Sequence, residues 1–381
     1  MKNISKLSIV TILLVSSLTI MVGSVIAPAL PSIVANLNFK YTPGLLVTLP
    51  SLGVVIFSPI VGRLINKIGA FKLLCWGLIP YALLGFIGFY LNNNYLLIAD
   101  RLLLGAACVA IQVAVTTFIA QLFEGKDRMK MIAWQGMAIE LGGVIFLSIG
   151  GFLGELNWTF PFYIYLIAIP FLFMVISSLP KSEVANINES SNQDNSVADK
   201  SRKKIMTPVF VGSFFSMAIF FVAYVTLPSY LPTQFSFTES STGYFMSAIS
   251  LVAVLTASQM PNITQKLGAN TTVCLGFVFF GLGYLLFGTA SQVSIMLVGV
   301  VLTGVGFGLT VPLLNHMVVE YSSTITRGKN LGTFSMMVFA GQFCATFVEY
   351  LPGSSSYIFI CTAFISVLIA IFLFIFFKRN N

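Results

Sequence analysis

Apolar runs of about 20 residues recur from one end of this chain to the other, and they limit its possible folds more than any other feature. A helical run of that length crosses a bilayer core of about 30 Å. Twelve runs are read, at 7–34, 43–65, 71–91, 95–122, 129–154, 160–179, 207–232, 242–260, 271–290, 293–318, 331–352 and 356–377. Lipid offers the backbone no hydrogen bonds, so each run has to be a helix. Only 8% of the 381 residues are charged and 57% are hydrophobic, whereas soluble domains carry about 25% charge. The expected fold is an all-α integral membrane protein with twelve transmembrane helices in two pseudo-symmetric six-helix halves. The first run follows Lys2 and Lys6 like a signal peptide. It is far longer than a signal core of about 7–15 residues, so it reads as a retained span bent near Pro28 and Pro31.

The net charge of +8 would fit nucleic acid, but its distribution does not. With both termini placed in the cytoplasm, 18 of the 20 Lys and Arg fall on the inner side, from Lys6, Arg63 and Lys67 to Lys378 and Arg379. Lys40 alone lies outside, and Arg101 lies within a span. That asymmetry is the positive-inside pattern. It points to a multi-pass protein of the cell (inner, cytoplasmic) membrane whose macromolecular surroundings are the lipid bilayer, with no nucleic-acid partner. The five cysteines all fall within spans, without metal-ligand spacing, and read as packing residues.

The longest polar stretch, 181–206, is rich in Ser, Asn and charge and reads as a cytoplasmic linker. It separates a first half, 1–180, from a second, 207–381. "INKIGAFKLLCWG" at 65–77 aligns with "TQKLGANTTVCLG" at 264–276, an offset of 199 that also pairs Gly105 with Gly304, Arg128 with Arg327 and Lys130 with Lys329. A constant offset across several loops marks an internal duplication, the plan of many secondary transporters.

Three stretches then carry a family resemblance. "GRLINKIGAFK" at 62–72 resembles the loop between the second and third helices of the major facilitator superfamily, and Asn66 stands where that family has an acid. "RLLLGAACVA" at 101–110 resembles its fourth-helix motif, an Arg followed four residues later by Gly. "GGVIFLSIGG" at 142–151 with "NWTFPFYIYLIAIP" at 157–170 resembles the fifth helix and the start of the sixth in its twelve-helix drug:proton antiporter branch, with Phe146-Leu147 replacing Gly-Pro. The resemblance implies two halves that rock around a central site, and a gating loop carrying Gly62, Asn66, Lys67, Gly69 and Lys72.

Charges inside a span are the first functional candidates, because an Arg there costs roughly 2.5 kcal/mol or more on insertion scales. Arg101 sits about 10 Å along its helix at 1.5 Å per residue, and the other half has Val300 at that position. Arg101, Gly105, Cys108 and Gln112 share a face, read here as lining the cavity. Asp100, nearer the interface, reads as a cap or local partner. Glu140 lies midway along its span with no charge within a turn. A carboxylate alternating between a dry setting and a cationic one can load and release a proton. Arg101 and Glu140 are therefore the expected proton-coupling residues, Glu140 as the proton site or as the counter-charge for a cationic substrate, and the resemblance assigns Arg101 an influence on a nearby acid. Phe220, Tyr224 and Tyr230 are candidate cavity residues. Prolines 228, 232 and 312 are expected to bend the seventh and tenth spans. His316 and Glu320 read as a solvated pair, and Glu155 and Glu239 as plain outer-surface charges.

No phosphate loop, nucleophile–base pair or metal-ligand cluster appears, so neither an enzyme nor a cofactor is expected. The expected function is proton-coupled efflux of a small amphipathic or lipophilic compound by a monomer. Two alternatives stay open: proton-coupled uptake of a small metabolite, and a receptor on the same fold.

Overall fold

The computed structural model describes residues 5–181, 196–322 and 326–380. Of the polar linker expected at 181–206, residues 182–195 lie outside the described residues. The described residues are helical almost throughout. The helices are α1 (Lys6–Ser24), α2 (Leu30–Leu37), α3 (Gly44–Ile87), α4 (Asn94–Leu122), α5 (Gly125–Leu156), α6 (Phe160–Tyr163) and α7 (Ala168–Ser178). After the linker come α8 (Ser196–Phe235), α9 (Glu239–Leu267), α10 (Ala269–Thr289), α11 (Val293–Tyr321), α12 (Arg327–Cys344) and α13 (Ser355–Asn380). Among the described residues, eleven helical stretches are long and apolar enough to cross a membrane. The fold is therefore all-α and multi-pass.

One of those stretches, Gly44–Tyr90, has 47 residues. A single crossing needs about 20. Its helical geometry breaks once, at Gly69, with φ 79° and ψ 164°. Gly268, 199 residues later, has φ 80° and ψ 151° and separates α9 from α10. Only glycine adopts such angles without strain. The segment expected to be a gating loop is thus mostly helix: Gly62, Asn66 and Lys67 continue α3, Gly69 alone makes the turn, and Lys72 is again helical.

Contacts group residues 1–188 with 231–247 into one compact unit, and 189–230 with 248–381 into another. The first unit thus includes the end of α8 and the start of α9. Internal packing repeats between the units at the offset of 199. A Cβ on Gly105 would meet Pro50 and Gly53, and one on Gly304 would meet Ile249 and Val252. A Cβ on Gly77 would meet Ala110 and Ile111, and one on Gly276 would meet Leu309 and Thr310. Glycines at these crossings let helices approach to backbone contact, the ordinary solution where lipid supplies no hydrophobic drive.

The first span breaks where its prolines predict. α1 ends at Ser24, a tight turn covers Ala27–Ala29, and α2 restarts at Leu30. In the second unit the helix assignment continues past the prolines, in α8 past Pro228 and in α11 past Pro312. There a side chain enters the α8 ladder. The Tyr284 hydroxyl accepts from the Ala223 N–H at 3.0 Å and donates to the Ile219 carbonyl. In the first unit Tyr81 and Tyr165 donate to the carbonyls of Leu18 (2.5 Å) and Val22 (2.8 Å), just before the break.

Candidate functional site

α4 begins under Asn93, whose side chain accepts from the N–H groups of Tyr95 and Leu96 at 2.9 and 3.3 Å. That cap fixes the first turn of α4, and Asp100 and Arg101 follow in the next turn. Arg101 is 1% exposed and Asp100 5%. Nη2 of Arg101 lies 2.9 Å from Oδ2 of Asp100, and Nε donates to the same oxygen at 3.0 Å. Nη2 also donates to the Leu84 carbonyl at 3.3 Å. The rings of Phe162 and Tyr165 flank the guanidinium, with centroids 5.7 and 5.9 Å from its carbon. Nη1 is buried and has no acceptor among the described residues. Arg101 lines a narrow apolar recess with Ile26, Leu37, Leu46, Leu97 and Phe162.

The face read as cavity lining is therefore packed inside the first unit. Gly105 sits against Pro50 and Gly53, because its missing side chain lets α3 and α4 touch. Cys108 is fully buried, its sulfur 3.8 Å from the Thr19 carbonyl. Gln112, further along, is half-buried and more open.

Glu140 is half-buried in α5, and among the described residues it makes no ion pair or hydrogen bond. Gly142, nearby on α5, meets Ser17 and Ile20 of α1, whereas Arg101 lies level with Ile26. Those levels differ by roughly 10 Å at 1.5 Å per residue. The acid paired with Arg101 is thus Asp100. Neighbouring residues on a helix do not ordinarily face each other. Here the surrounding wall is apolar and offers the guanidinium no other carboxylate among the described residues.

α5 presents two sets of contacts. Gly142, Gly150 and Gly154 meet Ser17, Val25 and Ala29 on or beyond α1. Gly151 meets Glu239 and Gly243 of α9, and Gly243 meets the Leu147 carbonyl. Glu140 shares the stripe of Leu147 and Gly151, by i, i+7 and i+11 spacing. Two carboxylates bond near the start of α9, one from α5 and one from α9 itself. Glu155 accepts from the Ser240 N–H at 3.1 Å, where the first turn of α9 has free donors. Ser32 of α2 donates to Glu239. Glu155 is exposed, as expected of a surface charge, and Glu239 is half-buried; both also carry these bonds, and the pattern T-E-S-S at 238–241 is the sequence sign of a helix start needing acceptors.

In the second unit, Phe220 and Tyr224 are each 1% exposed. Phe220 lies on Phe307 with centroids 3.9 Å apart, and the Tyr224 hydroxyl is 3.2 Å from that of Ser250. Tyr230 donates to the Phe287 carbonyl at 3.4 Å. All three are packed against neighbouring helices rather than standing in open space. His316 and Glu320 face each other at 3.7 Å, both more than half exposed. Among the described residues no group of three or more His, Cys, Asp or Glu could hold a metal.

This packing has known counterparts. The family model of the Major Facilitator Superfamily matches twice, at residues 12–208 and 209–381. Multidrug resistance protein 1 of Bacillus subtilis is 27% identical over 82% of this chain and 80% of its own length. Tetracycline resistance protein, class B, of Escherichia coli is 25% identical over 70% of this chain and 69% of its own. A solved POT family transporter in complex with 5-aminolevulinic acid superposes with a TM-score of 0.83 at 13% identity, covering 98% of this chain and 96% of that one. The nucleoside transporter NupG gives 0.75 at 15% identity, covering 98% and 100%. The two family matches divide the chain near the polar linker, and with the repeated helix packing they establish that this chain belongs to the major facilitator superfamily of multi-pass membrane transporters.

Proposed function

We propose that this transporter exports a small amphipathic or lipophilic compound from the cell in exchange for protons, with Glu140 as the proton-carrying group. The observation that carries this reading is Glu140 itself: a carboxylate in a spanning helix, half-buried and unpaired among the described residues. An ionisable group kept within a membrane span at several kcal/mol has its use in ion or substrate movement. Its stripe on α5 leads outward to the glycine contact with α9, so a change of charge at Glu140 acts along the surface that this contact occupies. The names of the multidrug and tetracycline resistance relatives support efflux as the direction.

In this reading Gly44–Tyr90 crosses twice, turning at Gly69, which gives twelve crossings with both termini in the cytoplasm. The halves are 1–180 and 207–381, joined by the cytoplasmic linker, and the working unit is a monomer. Gln112 borders the substrate path. Phe220 and Tyr224 shape the second half behind that path, and Gly62, Asn66, Lys67, Gly69 and Lys72 form the inner turn between the second and third crossings. Arg101 tunes the first half through its buried pair.

The test is accumulation of ethidium, a lipophilic cation, alongside neutral and anionic fluorescent compounds, in energised cells. Cells with the wild-type chain are expected to hold less of at least one compound than cells with Glu140→Gln, and a protonophore removes the difference. Equal accumulation of every compound in both contradicts the proposal, and greater accumulation with the wild type points to uptake.

A further inference from the structure

The two halves solve one packing problem in opposite ways. At the offset of 199, Gly88, Asp100 and Arg101 correspond to Phe287, Gly299 and Val300. In the second unit the Phe287 ring lies over Gly299, where a Cβ would approach it to 2.6 Å. In the first unit the roles are exchanged. Gly88 has no side chain, and a Cβ there would collide with Nη2 of Arg101. The buried ion pair thus occupies a slot that the duplicate fills with a phenyl ring. A ring, a glycine and a valine suffice for packing. They avoid burying two charges, whose desolvation opposes folding until pairing offsets it. The first half carries the costlier solution, and leaves one guanidinium nitrogen without an acceptor among the described residues.

From this asymmetry we propose that Asp100 is a positioning residue for transport: it holds the Arg101 guanidinium in the slot opened by Gly88, where the transport step uses it. Asp100 touches Arg101 through one carboxylate oxygen, and the rings of Tyr165 and Phe162 flank the guanidinium. Its contribution is to orientation and local neutrality. The inference rests on the transporter reading above but does not require that protons drive it.

The experiment measures substrate flux in vesicles of reconstituted full-length protein, using the fastest compound of the panel, with proton flux recorded in parallel. Asp100→Asn is expected to lower the maximal rate by about tenfold or more with half-saturation unchanged, the pattern of a lost interaction in the rate-limiting step. Asp100→Glu, which keeps the charge, restores most of that rate. A triple variant, Gly88→Phe with Asp100→Gly and Arg101→Val, copies the second half. It is expected to reach the membrane and melt near the wild type, yet to transport at background. Wild-type maximal rates in the triple variant, or equal rates for Asp100→Asn and Asp100→Glu, overturn the inference. Wild-type substrate flux without proton flux overturns only the coupling to protons and leaves the Asp100 comparison intact.

Discussion

Gly88 leaves empty the space that the Arg101 guanidinium occupies, while its counterpart Phe287 fills the equivalent space with a ring. The first consequence is steric. Gly88→Ala places a methyl against Nη2 in a wall that includes Phe162, at 3.1 Å from the new carbon. Overpacking of this kind costs about 1–3 kcal/mol, so the variant should melt below the wild type in detergent. An unchanged melting temperature means the guanidinium moves aside freely.

The second consequence is electrostatic. Arg101→Met leaves the Asp100 carboxylate 5% exposed and without its cation. Removing one partner of a buried pair costs about 3–5 kcal/mol. Arg101→Met with Asp100→Asn together should cost clearly less than the sum of the single changes. Additive losses in a double-mutant cycle would mean that the two side chains do not interact.

Glycines in different settings should respond with opposite sign. Gly62 is exposed within α3 and nothing approaches within 4 Å of a Cβ built there. Gly62→Ala should therefore stabilise by about 0.5–1 kcal/mol, the helix-interior advantage of alanine. Gly105→Ala forces α3 and α4 apart and should destabilise by about 1–3 kcal/mol, as should Gly304→Ala in the second half. At Gly69 and Gly268, where φ is 79° and 80°, alanine should cost about 1–3 kcal/mol through backbone strain. Thermal unfolding of the variants in one detergent decides all of these.

The contact between the end of α5 and the start of α9 gives a local readout. Glu155→Ala removes the acceptor of the Ser240 N–H. Hydrogen exchange at the Ser240 amide should quicken, with exchange in the middle of α9 unchanged. Equal exchange in both proteins would remove Glu155 from the role of cap.

Much of this architecture was legible in the sequence because lipid leaves the backbone few options. Most span positions, the break at Pro28 and Pro31 and the repeat at 199 follow from sequence pattern, while the runs at 43–65 and 71–91 form one stretch, Gly44–Tyr90, broken only at Gly69. The site was less legible. Sharing a helical face placed Arg101 and Gly105 together, but that spacing is blind to which neighbour covers the face, and α3 and α6–α7 cover it. Asp100 read as a local partner, yet the extent of burial around the pair depends on Gly88 and Tyr165, far away in sequence. Glu155 and Glu239 read as surface charges because their partners, Ser240 and Ser32, meet them only through tertiary packing. The prolines of α8 and α11 lie within helices that continue past them, whereas those of the first span coincide with its interruption.

The most direct measurement is collapse of a preformed pH gradient in inside-out vesicles, followed by a pH-sensitive dye as each compound of the panel is added. The wild-type protein should dissipate the gradient with at least one compound, and Glu140→Gln, present in the membrane at equal level, should not. Dissipation by Glu140→Gln at the wild-type rate would contradict the assignment of Glu140 as the proton carrier.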